Sequence, residues 1–383
     1  MKILITTDLY TVTTNGVVTS VRNLYDELTR SGHEVRVLTL SENGRSRKES
    51  SVYYIRSISL EWVYPQVRMP TSFRHRLLRE LIRWKPDVIH SQCEFFTFQY
   101  ALRISKLTGA PIVHTYHTLY EQYVGYLFRS THFGKRIVGT LSRQRLKRVK
   151  QVIAPTRKVE VTLRGYGLKK PICIVPSGID LEQHRRHISA EERRERRQAL
   201  GIADHKTVLL NLGRLGTEKN LSELLFLFAN AHKRNPDLIF LIVGDGPARE
   251  QLTLQCAELG IEDSVIFTGM VDPMQVHCYY QLADLFVSAS TSETQGLTYV
   301  EAAANGLPLL CREDPCLEEV LLPGLNGYTY RDASGFMDAL WQIIGDSGWR
   351  QSASRKSREI ANQFDKRTFG KSVESIYDSA LKP

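Results

Sequence analysis

The sequence is poor in cysteine and pairs none of it. The six cysteines (Cys93, Cys173, Cys256, Cys278, Cys311 and Cys316) include no CxxC, which argues against a structural zinc site or a dithiol centre. Spread through apolar segments, they read as reduced core thiols of a cytosolic protein. No run of about 18 apolar residues occurs, so no membrane-spanning helix is expected. The opening MKILITTDLY enters strand-like alternation directly, without the apolar core and cleavage site of a secretory signal. The chain also lacks a GxxxxGK[ST] phosphate loop, any Asp-x-Asp, low-complexity tracts, and internal repeats of roughly 20–50 residues.

What is present is length and an uneven charge. At 383 residues the chain can build two domains, each with its own core. Residues 1–175 hold 29 Lys and Arg against 12 Asp and Glu, a balance of +17 within a total of +10, so the remainder carries −7. A basic front half points to an anionic partner, either nucleic acid or an anionic membrane surface. Nucleic acid is the weaker of the two: no recognised binding motif appears, and the basic segments lack interleaved aromatic stacking platforms.

Short Val, Ile and Leu runs alternate with helical stretches along the chain. Strands are expected near 2–7, 34–40, 52–57, 87–91, 111–115, 151–154 and 172–175, then near 206–212, 238–243, 264–268, 284–288 and 308–311. Helices are expected at 16–31, 70–84, 95–108, 134–149 and 156–165, then at 221–234, 247–259, 273–282 and 297–305, with three more closing the chain. Apolar runs of this kind mark parallel strands buried on both faces. The expected fold class is α/β, two Rossmann-like doubly wound domains. The boundary falls at Val175-Pro176-Ser177-Gly178, giving domains 1–175 and 176–365, with a final helix at about 366–383 packing back on the first. The charged segment EQHRRHISAEERRERRQAL suits a solvated helix rather than a core element.

In open parallel sheets, ligands bind beyond the carboxyl ends of the strands. Four strand-to-helix turns carry unusual residues. Asn15-Gly16-Val17 opens the first long helix, where N–H groups can meet an anion or simply receive an Asn cap. NLGRLGTEKN, 211–220, places Arg214 and Lys219 on one loop, a planar fork and a flexible point charge of the kind a diphosphate takes; the plainer alternative is two solvated cations, with Lys219 pairing Glu218 or Glu223. GDGPARE, 244–250, lacks the third glycine of a dinucleotide fingerprint and reads as a tight structural turn, with Pro247 at the first helical position. The last turn, SETQGLTYVE at 292–301, sets Glu293 on a loop and Glu301 inside the next helix, with N–H groups of Gln295, Gly296 and Leu297 between them. Two such carboxylates can flank an extended polyol, one sugar and one ribose; the plainer alternative is a dipole-complementing Glu293 and a salt-bridged Glu301.

Taken together and in order, NGVVTSV, GRLGTEKN, GDGPARE and the E-x7-E stretch resemble the retaining glycosyltransferases of family four. The resemblance implies a GT-B fold, two Rossmann-like domains facing across a cleft, and a hexosyltransferase using a nucleotide-sugar as co-substrate without a metal or other cofactor. It implies that Arg214 and Lys219 stabilise the departing diphosphate, that Glu293 with Gln295, Gly296 and Leu297 holds the sugar, and that Glu301 holds the ribose. The backbone near Val271 would meet the base, and Gly16 with Val17 the phosphates. His117, just past a strand end, would face the donor sugar as general base or hydrogen-bond partner.

More narrowly, HTYHTLYEQY, NGVVTSVRNL and DPCLEEVLLPGLNGY resemble the diacylglycerol glucosyltransferases and related glycolipid synthases of Gram-positive bacteria and mycoplasmas. That resemblance implies transfer of glucose from UDP-glucose to diacylglycerol or a glycosyl-diacylglycerol, by a peripheral enzyme on the inner face of the cell membrane. Independently, PTSFRHRLLRELIRWK (70–85) places Phe73, Leu77, Leu81 and Trp84 on one stripe amid arginines, and residues 134–150 carry seven cations and no acid. Basic amphipathic helices can lie in an anionic interface, or simply turn their apolar stripe to the core. Acceptor or membrane contacts are expected from Tyr116, His117, Tyr120, Phe73, Leu77, Trp84, Arg143 and Lys147. A family-four enzyme with a soluble acceptor, and a sugar-nucleotide epimerase of the same fold, are the rival readings.

Overall fold

The apolar runs pair side by side as strands. The computed structural model describes residues 1–10, 15–60, 67–119 and 131–382, with backbone alone at 131–133 and 135. They divide into two units, Met1–Gly178 with Lys366–Pro383, and Ile179–Asp365.

In the first unit β1 (Lys2–Thr6), β2 (Glu34–Ser41), β3 (Arg47–Glu49), β4 (Val52–Ser59), β5 (Arg68–Pro70), β6 (Val88–Ser91), β7 (Ile112–Thr115), β8 (Gln151–Ala154) and β9 (Ile172–Ile174) form one sheet. Its order is β3-β4-β2-β1-β6-β7-β8-β9, with β5 antiparallel on β4. On one face, Val21, Leu24 and Leu28 of helix Gly16–Arg30 pack with Phe369, Val373 and Tyr377 of helix Lys366–Leu381 against Ile3, Ile5 and Val37. On the other, Leu77, Leu81 and Trp84 of helix Arg76–Trp84 join Phe98 and Ile104 against Leu4, Leu38 and Ile89.

The second unit is an all-parallel sheet of β10 (Thr207–Leu212), β11 (Leu238–Val243), β12 (Val265–Gly269), β13 (Leu285–Ser288), β14 (Leu309–Arg312) and β15 (Gly327–Tyr330). Its order is β12-β11-β10-β13-β14-β15, so the winding reverses between β10 and β13. Every residue of β11, LIFLIV, is buried, as a strand covered on both faces requires. The doubly wound class expected from the sequence is what the chain forms.

Three expectations need correction. The helix expected at 70–84 begins only at Arg76, because Pro70 pairs with Ser57 in β5 and His75 caps the helix, its Nδ1 accepting the Leu77 N–H at 3.2 Å. The helix Ala190–Ala199 is solvated as expected along most of its length but not at buried Arg197, whose guanidinium donates to Leu282 O at 2.7 Å, Lys206 O at 3.1 Å and Asp284 Oδ2 at 2.9 Å. A carboxylate and converging carbonyls offset the cost of burying that charge. Short β3, β5 and β15 went unforeseen: runs of three or four residues carry too little periodicity to read.

Candidate active site

The reversal of winding in the second unit brings the loops after β10 and β13 together, the position at which doubly wound sheets bind ligands. The Arg214 loop rests on the 244–248 turn: Leu215 N–H donates to Asp245 O and Ala248 N–H to Leu215 O, each at 2.9 Å. Glycine is required in that bed. A Cβ on Gly244 (φ +125°) would stand 2.0 Å from Gly213 O, and one on Gly246 2.5 Å from Leu215 O. The structure thus gives GDGPARE the structural task expected of it, although the helix starts at Arg249, two residues after Pro247.

Arg214 and Lys219 do not point at one another's partner. Arg214 pairs with Glu218, while Lys219 Nζ pairs with Glu293 Oε1. Ser292 Oγ donates to Glu218 O at 3.0 Å and so ties the two loops directly; Ser290 Oγ donates to Glu293 Oε1 at 3.3 Å. Gln295 is buried, and Gly296 takes φ +72° with no room for a Cβ, since the Tyr299 ring would lie 2.4 Å away. Helix Leu297–Ala304 starts there without a side-chain cap. Burial first, and the Glu293 charge second, push the Tyr299 hydroxyl well above its ordinary pKa, and it pairs with Ser288 Oγ at 3.1 Å.

Glu301 is held separately. Tyr280 donates its hydroxyl to Glu301 Oε2 at 2.8 Å, and His184 Nε2 stands 4.0 Å from Oε1. Burial, then the neighbouring carboxylate, raise the Tyr280 pKa and keep it a donor. Val271, half-buried, follows β12, whose Gly269 O accepts the Gly244 N–H at 3.0 Å. Tyr280 and His184 were not singled out from the sequence, and Glu218 figures there only as a partner for Lys219, not for Arg214. Only Glu218, four residues from Arg214, left a local signal.

In the first unit, Gly16 is exposed at the start of its helix, and Asn15 Oδ1 accepts the Val17 N–H at 2.9 Å. The cap therefore uses the N–H expected to meet a phosphate. His117 is buried, its Nε2 2.7 Å from Gln92 Oε1. Burial, then His114, depress its pKa to about 3, so the ring is neutral. His114 pairs with buried Glu94 at 3.1 Å inside the sheet, as a structural histidine does.

Several expected acceptor and membrane contacts are overturned. Tyr116 is fully buried, its hydroxyl 3.1 Å from Ser142 Oγ. Leu77 and Trp84 are core residues, and Trp84 Nε1 donates to Glu34 at 2.6 Å. The apolar stripe faces the sheet because the sheet needs a cover there. Phe73, before the helix, stays 42% exposed. Arg143 is half-buried and Lys147 exposed, whereas Tyr120 lies outside the described residues. Among the described residues no helix is long and apolar enough to cross a membrane, and no three His, Cys, Asp or Glu side chains converge as a metal-ligand set.

Two family models match the chain in succession: "Glycosyltransferase Family 4" over residues 14–183 and "Glycosyl transferases group 1" over residues 192–359. The chain belongs to the glycosyltransferases of family four and is an enzyme of that class, with the paired Rossmann-like units of the GT-B fold. It is 34% identical to an alpha-monoglucosyldiacylglycerol synthase of Streptococcus pneumoniae, over all of this chain and 86% of that one. It is 30% identical to the alpha-monoglucosyldiacylglycerol synthase of Acholeplasma laidlawii, over 98% and 96%. Among solved structures, Anabaena Alr3699/HepE in complex with UDP and glucose superposes with a TM-score of 0.77 over 99% of this chain and 100% of that one, at 19% identity.

Proposed function

We propose that the protein is a retaining glucosyltransferase that moves glucose from UDP-glucose to a membrane lipid, 1,2-diacylglycerol or a glycosyl-diacylglycerol. The observation that carries this reading is the coupling of Lys219 to Glu293 across the β10 and β13 loops, beside the Arg214–Glu218 pair. Each cation is stored against a carboxylate. A diphosphate draws off Arg214 and Lys219 and leaves Glu293 to accept hydrogen bonds from sugar hydroxyls. Glu301, oriented by Tyr280, accepts the ribose hydroxyls.

The acceptor oxygen bonds to C1 of the sugar on the face from which the phosphate oxygen leaves. The acceptor proton passes to that departing oxygen, and Arg214 and Lys219 stabilise the charge it carries. A neutral His117 with a pKa near 3 is a poor base at neutral pH and acts as a hydrogen-bonding group instead.

The lipid acceptor rests on the two relatives named as diacylglycerol glucosylating enzymes. Attachment to the inner face of the membrane rests on the +17 balance of residues 1–175 and on Phe73, which lines a shallow surface pocket with Arg74, Arg79 and Arg103. Each surface cation contributes roughly 1 kcal/mol toward an anionic leaflet.

The test is transfer of labelled glucose from UDP-glucose to diacylglycerol in anionic vesicles, with flotation of the same mixture. Lipid-linked label and co-flotation are expected. Transfer to a water-soluble sugar alone, with no flotation at low salt, would replace the lipid acceptor by a soluble one.

A further inference from the structure

Within the second unit a cavity of about 680 Å³ is lined by no residue of the loops after β10 and β13, and shares only Tyr280 and His184 with the surroundings of Glu301. Its wall includes Asp284 and Pro308, which precede β13 and β14, whereas Glu293 follows β13. It therefore lies toward the amino ends of these strands, whereas the loops after β10 and β13 lie at the carboxyl ends. A volume in the range of roughly 300–1,000 Å³ suits a small-molecule ligand and exceeds what a bare inorganic anion fills.

Four arginines, Arg185, Arg193, Arg350 and Arg358, line this cavity, and Asp284 is the one carboxylate among its lining residues. Asp284 is already engaged: it lies 3.6 Å from Arg193 and 2.9 Å from buried Arg197. The other three guanidiniums bond to neutral groups. Arg185 donates to Arg358 O at 3.0 Å and Asn362 Oδ1 at 2.8 Å. Arg350 donates to Ile343 O at 2.9 Å, and Arg358 to Ser354 Oγ at 2.9 Å and Asn305 O at 3.2 Å. Among the described residues none of the three forms an ion pair. Uncompensated planar forks around one space are what a phosphate dianion takes.

A second, independent feature lies in the same wall. His184 is more than nine-tenths buried, and its Nδ1 has no hydrogen-bond partner among the described residues. A buried polar nitrogen left unsatisfied is costly, and a ligand hydroxyl would relieve it. The other nitrogen of His184 faces Glu301 at 4.0 Å, and Tyr280, also on the wall, donates to that carboxylate.

We propose that this cavity binds a small phosphorylated metabolite, a phosphate monoester on a hydroxylated body of sugar size, and that its occupancy is felt at Glu301 through His184 and Tyr280. The arginines take the phosphate; His184 and Ser354 offer partners to the hydroxyls. The link to Glu301 rests on the donor-site reading above, whereas the binding does not.

Calorimetry on the full chain tests both parts, with ribose 5-phosphate and inorganic phosphate as probes. Ribose 5-phosphate is expected to bind once per chain, more tightly than phosphate, and to remain bound when UDP saturates the donor site. Arg350→Gln and the exposed Arg185→Gln should each weaken it about tenfold, with unchanged melting temperature in the second. No binding, displacement by UDP, equal affinity for phosphate, or indifference to both substitutions would overturn the site. Saturating ribose 5-phosphate is expected to change UDP affinity several-fold; an unchanged value would overturn the link. Failure of UDP to bind at all would count against the donor-site reading instead.

Discussion

Lys219 and Glu293, 74 residues apart in the chain, form an ion pair across two loops of the second unit. Breaking it from either side removes a group assigned to the donor. Lys219→Ala, Arg214→Ala and Glu293→Ala should each lower kcat by roughly two to three orders of magnitude, as loss of a charge-stabilising contact does. Because Arg214 and Lys219 are partly exposed, their pairs add little to stability, and melting temperatures should stay close to the parent. Steady-state kinetics with thermal melts checks this; a variant with only a raised KM would remove that residue from the leaving-group role.

Tyr280 orients Glu301 and is itself buried. Tyr280→Phe removes one hydrogen bond to a carboxylate, worth about 1.5–3 kcal/mol, without opening a cavity. The expected result is a rise in KM for UDP-glucose of about tenfold or more with a smaller change in kcat. Equal KM in the two proteins would show that Glu301 does not depend on this hydroxyl.

His117 titrates in the unfolded chain near its ordinary value but only near 3 when folded. Between those values the unfolded state binds the additional proton, so stability falls as pH drops from about 6.5 toward 3. This one group contributes a slope of up to roughly 1.4 kcal/mol per pH unit in that window. His90, also depressed by burial, adds in the same direction. Denaturant melts at pH 7 and pH 5 should show a shallower loss for His117→Asn. A kcat/KM profile between pH 6 and 8 should show no inflection that this substitution removes.

Phe73 and Trp84, aromatic residues of the same 70–85 stretch, differ in burial and should differ in behaviour. Trp84→Ala empties a core position and should cost about 3–5 kcal/mol in stability. Phe73→Ala, at an exposed position, should leave the melting temperature nearly unchanged while reducing flotation with anionic vesicles. Unaltered flotation would remove Phe73 from the membrane contact.

Two largely parallel sheets follow from the amino-acid order alone, because short apolar runs separated by amphipathic helices have few other ways to bury both faces. The sequence also pointed to the loops after β10 and β13, since the E-x7-E stretch and the Arg214 loop each follow a readable strand. It could not say which cation meets which carboxylate. Glu218 takes Arg214, and Glu293 takes the Lys219 that local spacing would have given to Glu218 or Glu223. Nor could it tell that Leu77, Trp84 and Tyr116 turn inward, or that Tyr280 reaches Glu301 from 21 residues away. Periodicity describes one element at a time. The pairing of charges and the choice of buried face depend on strand order and on which neighbour covers each surface, and those exist only once the sheet is assembled.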